Sequence, residues 1–204
     1  MELTTTTTKK GRINVLADGE YQFTVPAFIW YHSALCGRTE AGPEELEELR
    51  LLGEQTDAYE KALRVLALRA HSETELRRKL KPQYSDAAIE AALEKLRENR
   101  LVDDVAFSEA LAQELNRRKA WAPERIRQEL LARGIDAETA KNAAFGIDIN
   151  RKQCIIDIIS KMHLPEQLTK KEADRLIRRL LTAGYSLREI REVITFSEED
   201  VSDD

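Results

Sequence analysis

Three pairs of branched apolar residues recur along this chain at one fixed interval. They are Leu76/Leu80, Ile126/Leu130 and Leu176/Leu180, and each pair lies 50 residues beyond the one before. The helix-stopping candidates Gly134 and Gly184 obey the same shift, as do the capping candidates Asp86, Asp136 and Ser186. A shared period in apolar, stop and cap positions marks a duplicated structural unit. Around each pair the apolar spacing is helical, and three helices fit into one period. A single three-helix unit buries its own faces poorly, so copies stack into an elongated array with a continuous core. The period therefore predicts a mainly α chain of tandem three-helix repeats, at 59–102, 103–147 and 148–196.

Local signals set the helix ends. In the first copy Ala62, Leu63, Leu66, Ala67 and Ala70 form one apolar face, which His71-Ser72 breaks. Ser72 to Glu75 fits a capping box, Pro82 ends the middle helix, and Ser85 or Asp86 caps a third helix carrying Ile89, Ala92, Leu93 and Leu96. Pro123 suits the first position of the second copy's middle helix. Thr169 to Glu172 and Ser186 to Glu189 are further capping boxes in the third copy. Ahead of the repeats, residues 12–58 read as a β-hairpin with short helices. Ile13 and Val15 alternate with polar neighbours, as do Tyr21, Phe23 and Val25, and Asp18-Gly19 between them suits a type I′ turn. A short helix from Pro26 to about Leu35 follows, with Gly37 as its stop. Pro43 then opens a helix over Glu44–Leu52 that Gly53 weakens. Residues 1–11, with their threonine run, are expected to be disordered, and residues 197–204 form an acidic tail.

Charge divides along the same lines. The net charge of −5 hides 5 Lys/Arg against 10 Asp/Glu in residues 1–58, 27 against 22 in 59–196, and none against 5 in 197–204. The repeats are net basic between acidic flanks, so a polyanionic partner stays open despite an acidic isoelectric point. No apolar run is long enough to span a bilayer, and the N-terminus lacks the apolar core of a secretory signal. A cytoplasmic protein is expected. Cys36 and Cys154 stand far apart and belong to no CxxC pair, so they read as ordinary buried or half-buried thiols.

Chemistry-bearing motifs are scarce. There is no phosphate-binding glycine loop, no HExxH and no nucleophile elbow. His32, His71 and His163 fall in three separate segments without carboxylate or cysteine at ligand spacing, and His71 reads as a helix-junction residue. Asp103-Asp104 could face one pocket as a catalytic pair, but a helix N-terminus equally favours such charge. No catalytic residue, metal or cofactor is expected. The candidate partner-binding residues are basic clusters with one aromatic: Arg77, Arg78 and Lys79; Arg117, Arg118 and Lys119; Trp121; Arg125 and Arg127; and Arg175, Arg178 and Arg179. Either these residues recur along one side of the array and meet a partner, or they are solvated helix faces paired with Glu at i, i+4. Trp121 is either a surface anchor for that partner or part of the second repeat's core.

The order of these features is familiar. Ala62-Leu63-x-x-Leu66-x-x-Arg69-x-x-Ser72-x-x-Glu75-Leu76-x-x-Lys79-Leu80 resembles the signature of the RecX family of recombination regulators. The likeness continues through Leu96, Leu101, Asp103-Asp104 and Phe107, through Ala120-Trp121-Ala122-Pro123, Ile126, Glu129-Leu130 and Gly134-Ile135, and in Leu180 with Gly184-Tyr185. It covers residues 59–196. Ala120 and Ala122 stand where members often have glycine, and Gln83-Tyr84 replaces a helix-stopping glycine in the first copy. The resemblance implies a non-enzymatic modulator of RecA, with a place in recombination, repair and the SOS response. It implies binding to the RecA filament on single-stranded DNA, in the filament's helical groove, and inhibition of ATP hydrolysis and strand exchange. An elongated, curved array of helical repeats suits a helical groove, and contact with several subunits gains avidity. A monomer is expected, and direct DNA contact is left open. The alternative is a general nucleic-acid-binding repeat protein, against which the lack of interleaved aromatics counts.

Overall fold

The computed structural model describes residues 1–165 and 168–194. The acidic tail at 197–204 lies outside the described residues. The chain is mainly helical, with a three-stranded antiparallel sheet at its N-terminus followed by tandem three-helix modules. It divides into two compact units, Met1–Asp103 and the residues from Asp104 onward.

In the first unit, β2 (Arg12–Ala17) and β3 (Glu20–Pro26) form the expected hairpin. Asp18 and Gly19 join them with φ of 51° and 80°, the double left-handed geometry that a type I′ turn needs. The threonine run does not fit the disordered N-terminus expected of it. Leu3–Thr7 is a strand, β1, paired antiparallel with β2 from Leu3↔Ala17 to Thr7↔Ile13. Leu3 alone of its residues is buried, so backbone pairing and β-branching hold it, and apolar alternation could not announce it.

Helix α1 is shorter than expected, Ala27–His32, and Ser33 turns out of it. Helix α2 is longer: Pro43–Leu66 is one unbroken helix of 24 residues. The expected stop at Gly53 and the boundary at residue 59 both fall inside it. A Cβ on Gly53 would stand 2.5 Å from Val25 Cγ1, so the glycine is where β3 crosses the helix closely. One half of α2 covers the sheet with Leu46 and Leu49, in a core with Val15, Val25 and Trp30. Its other half belongs to the first repeat. Ala58 meets Ala88 and Ala92, all essentially inaccessible, which lets α2 and α4 approach closely. Asp57 accepts both Arg12 guanidinium nitrogens, at 2.7 and 2.6 Å, and ties the sheet to the same helix.

The first module is completed by α3 (Glu73–Leu80) and α4 (Asp86–Glu98). Ser72 accepts from the Glu75 amide at 3.1 Å, and Ser85, not Asp86, caps α4. The Glu54 carboxylate reaches across from α2 to accept from the Ser85 amide at 2.6 Å. Without the glycine of the later copies, α3 stops through bonds from the Gln83 and Tyr84 amides to the Leu80 carbonyl.

The second unit holds the other two modules. They are α5 (Asp104–Lys119), α6 (Pro123–Ala132) and α7 (Ala137–Phe145), then α8 (Arg151–Ser160), α9 (Lys170–Thr182) and α10 (Leu187–Val193). The six periodic apolar residues are all buried, each pair in its own module's core. Gly134 and Gly184 take φ of 84° and 97°, as helix stops should. Thr169 and Ser186 make both bonds of their capping boxes, with Glu172 and Glu189.

Candidate functional site

The basic residues lie on four helices. Arg77, Arg78 and Lys79 are on α3, Arg117, Arg118 and Lys119 close α5, Arg125 and Arg127 are on α6, and Arg175, Arg178 and Arg179 are on α9. A strict 50-residue shift sets Arg77 against Arg127, Arg78 against Arg178, Lys79 against Arg179 and Arg125 against Arg175. No basic position is shared by all three copies, since Arg77 and Arg127 meet Ile177 in the third.

Their partners differ. Arg118 pairs with Glu114 one turn away at 2.7 Å, and Arg125 reaches Glu129 at 3.9 Å. Arg77 pairs with Glu90 across to α4. Arg178 donates from Nε to the Asp174 carbonyl at 3.2 Å. Lys79, Arg117, Arg127, Arg175 and Arg179 have no carboxylate partner among the described residues, and all but the half-buried Arg127 are exposed. The solvated, Glu-paired face thus accounts for part of the set only. Beside it the sequence reading missed Leu131 and Leu181, 36% and 43% exposed, one repeat apart and each directly after a buried leucine. The same period that revealed the buried pairs carried this signal. In the first copy Lys81 takes the place and pairs with Asp86.

Trp121 sits in the turn between α5 and α6, half-buried and packed against the cores of both the second and third modules. Its ring also carries two cations: Lys119 Nζ lies 4.3 Å from the centroid and Arg125 Cζ 4.6 Å. Arg125 Nε is buried without a hydrogen-bond partner among the described residues, so the indole face is its near neighbour. The turn itself is a joint between modules. The Ala122 amide donates to the Ala183 carbonyl at 2.9 Å. The buried Tyr185 hydroxyl donates to the Ala120 carbonyl at 2.7 Å. Burial pushes that phenol's pKa up, with the Cys154 thiol beside it adding to the effect. Arg151 bridges Glu124 of α6 at 2.7 Å and Glu189 of α10 at 2.6 Å. Ala120 adopts φ of 51°, the left-handed conformation that glycine takes freely.

Asp103 and Asp104 lie at the start of α5, where a helix N-terminus favours negative charge. Among the described residues, no group of three His, Cys, Asp or Glu side chains could hold a metal ion. His71 is buried at the α2–α3 junction, its Nδ1 2.9 Å from the Arg69 carbonyl. His32 contacts the Phe28 carbonyl within its own short helix. Cys36 is exposed, where a buried or half-buried thiol was expected, because it lies in the turn after α1; Cys154 is half-buried. No described helix is long and apolar enough to cross a membrane.

These features define a tandem three-helix repeat protein whose described polar groups cap helices and join modules, with exposed basic residues on four of its helices. Comparison with known proteins gives the class a family. The model of the RecX first three-helix domain matches residues 58–96, and that of the second matches 103–143. The regulatory protein RecX of Cronobacter sakazakii is 31% identical over 167 residues, 76% of this chain and 96% of the relative. That of Clostridium beijerinckii is 28% identical over 191 residues, 91% and 89% of the two chains. A crystal structure of regulatory protein RecX shares the fold with a TM-score of 0.66 at 23% identity, covering 94% of this chain and 98% of its own. RecX from Lactobacillus salivarius shares it at 0.57 and 20% identity, over 69% and 94%. The chain belongs to the RecX family of regulatory proteins.

Proposed function

We propose that this chain is a non-enzymatic modulator of the RecA recombinase. It binds the RecA filament on single-stranded DNA, in the helical groove, and slows ATP hydrolysis and strand exchange. Membership of the RecX family is the observation that carries this reading. The exposed basic residues without carboxylate partners support a binding surface, because they meet an acidic partner without first breaking an ion pair. Exposed Leu131 and Leu181 add apolar contact beside them. Tandem modules offering similar groups suit a partner that repeats, since each further contact is made at high effective concentration.

The test is ATP turnover by RecA on single-stranded DNA. Substoichiometric protein is expected to slow it; no change up to equimolar protein contradicts the proposal. The same basic residues favour a second reading, general binding to nucleic acid through phosphates. That reading expects tight binding to bare DNA that falls steeply with salt, by about one power of salt concentration per phosphate contacted.

A further inference from the structure

A cavity and a basic stripe share one helix of the third module. Ile194 leaves α10 in an extended conformation and, with Val193, lines a cavity of about 470 Å³. Ile159 of α8, Leu164, Leu168 and Leu176 of α9 add to its apolar wall. Helix α9 also carries Lys171, Arg175, Arg178 and Arg179, at i, i+4, i+7 and i+8, which places them on one helix face. All four are exposed, and none has a carboxylate partner among the described residues. Glu172 is held by Thr169 in the capping box, so Asp174 alone offsets them within the helix. The ten residues after Ile194 lie outside the described residues. They hold Phe196, then Glu198, Glu199, Asp200, Asp203 and Asp204, and no Lys or Arg.

We propose that this acidic segment docks on its own third module, with Phe196 in the cavity and the carboxylates along the α9 stripe. Charge complementarity and chain order choose the occupant. Phe196 is the first large apolar residue after Ile194, which itself lines the cavity, and its Cα lies within about 7 Å of that residue's. The acidic run begins two residues further on. Ten extended residues span about 33 Å, against about 20 Å for the length of α9, so the run reaches the stripe. Exposed ion pairs are individually weak. Tethering offsets this by holding the segment at an effective concentration on the order of mM, an advantage that a second copy lacks. Arg175, Arg178 and Arg179 also belong to the surface proposed to meet RecA. Resting on that reading, docking withholds three of its cations from an acidic partner, which makes it an autoinhibitory contact.

Paramagnetic broadening of amide signals in the full chain decides the docking without RecA, so its failure is separate from failure of the RecA reading. A nitroxide on Ser202→Cys, in a chain with Cys36→Ser and Cys154→Ser, is expected to broaden Lys171–Arg179 most. Neutralising the run with Glu198→Gln, Glu199→Gln and Asp200→Asn is expected to reduce that broadening at least about threefold, as is about 1 M salt, where charges are screened within about 3 Å. Phe196→Ser is expected to reduce it as well. Nitroxide-bearing chains mixed with isotope-labelled chains that carry no nitroxide are expected to give no broadening. Where the serine replacements unfold the chain, amide shifts of the native-cysteine chain with and without neutralisation decide instead, and changes centred on Lys171–Arg179 are expected. Broadening or shifts without a maximum on α9, a maximum unmoved by neutralisation or by Phe196→Ser, or broadening in the mixture overturns the proposal. The neutralised chain is also expected to bind the RecA filament at least about threefold more tightly. Equal affinity overturns the withholding, leaving the docking to the amide signals.

Discussion

At the scale of single residues, His71 shows how a helix junction acquires a pH dependence. The ring is 4% exposed and holds the Arg69 carbonyl through Nδ1. Burial lowers its pKa below 6.5 by disfavouring the imidazolium, and the bond to Arg69 opposes this less strongly. The folded chain therefore binds fewer protons than the unfolded chain in this range. The stability that His71 contributes is fully present above pH 6.5 and is lost as pH falls through the depressed value. Urea melts at pH 7.5 and 5.5 are expected to show a loss that His71→Gln removes in large part; an equal loss in both chains refutes this role. Local chemistry of this sort was legible in part. Ser72, Thr169 and Ser186 announce their caps because a cap needs only a hydroxyl and a carboxylate three residues on. The Arg12–Asp57 and Arg151–Glu124 pairs were illegible, since the fold, not the spacing, brings their members together.

At the scale of elements, glycines separate what periodicity can and cannot reveal. Gly53 reads as a helix weakener in isolation, yet packing of Val25 overrides propensity and α2 runs through it. Gly184 reads correctly as a helix stop, but its second role is tertiary. A Cβ there would lie 2.8 Å from Arg125 Cβ and 3.0 Å from the Arg125 amide nitrogen, within the joint that joins the second and third modules. Gly184→Ala combines backbone strain with a clash against backbone and is expected to cost about 2–4 kcal/mol. Gly37→Ala has a similar φ of 81° and open space around it, so it is expected to cost only about 1–2 kcal/mol. Urea midpoints of the two variants measure the difference, and equal losses contradict a close-packed joint. The threonine strand was hidden for a related reason: an exposed edge strand needs no apolar face, so alternation carries no trace of it.

At the scale of the whole molecule, the 50-residue period gave the modules and the buried pairs, but not which cations are available. Arg127 and Arg179 have no carboxylate partner among the described residues, whereas Arg118 is paired with Glu114. Reversing the first two alters the surface without leaving a native carboxylate unpaired. The basic positions also coincide only two copies at a time, so no single substitution per repeat samples the whole set. The proposed activity is binding to a RecA filament through these residues. Its most direct measurement is equilibrium binding of the chain to RecA on fluorescent single-stranded DNA, compared with the same DNA bare. Saturable binding to the filament and weak binding to bare DNA are expected, with at least about tenfold loss for Arg127→Glu combined with Arg179→Glu but little for Arg118→Glu. Equal affinity for bare DNA, or filament binding indifferent to the double reversal, contradicts it.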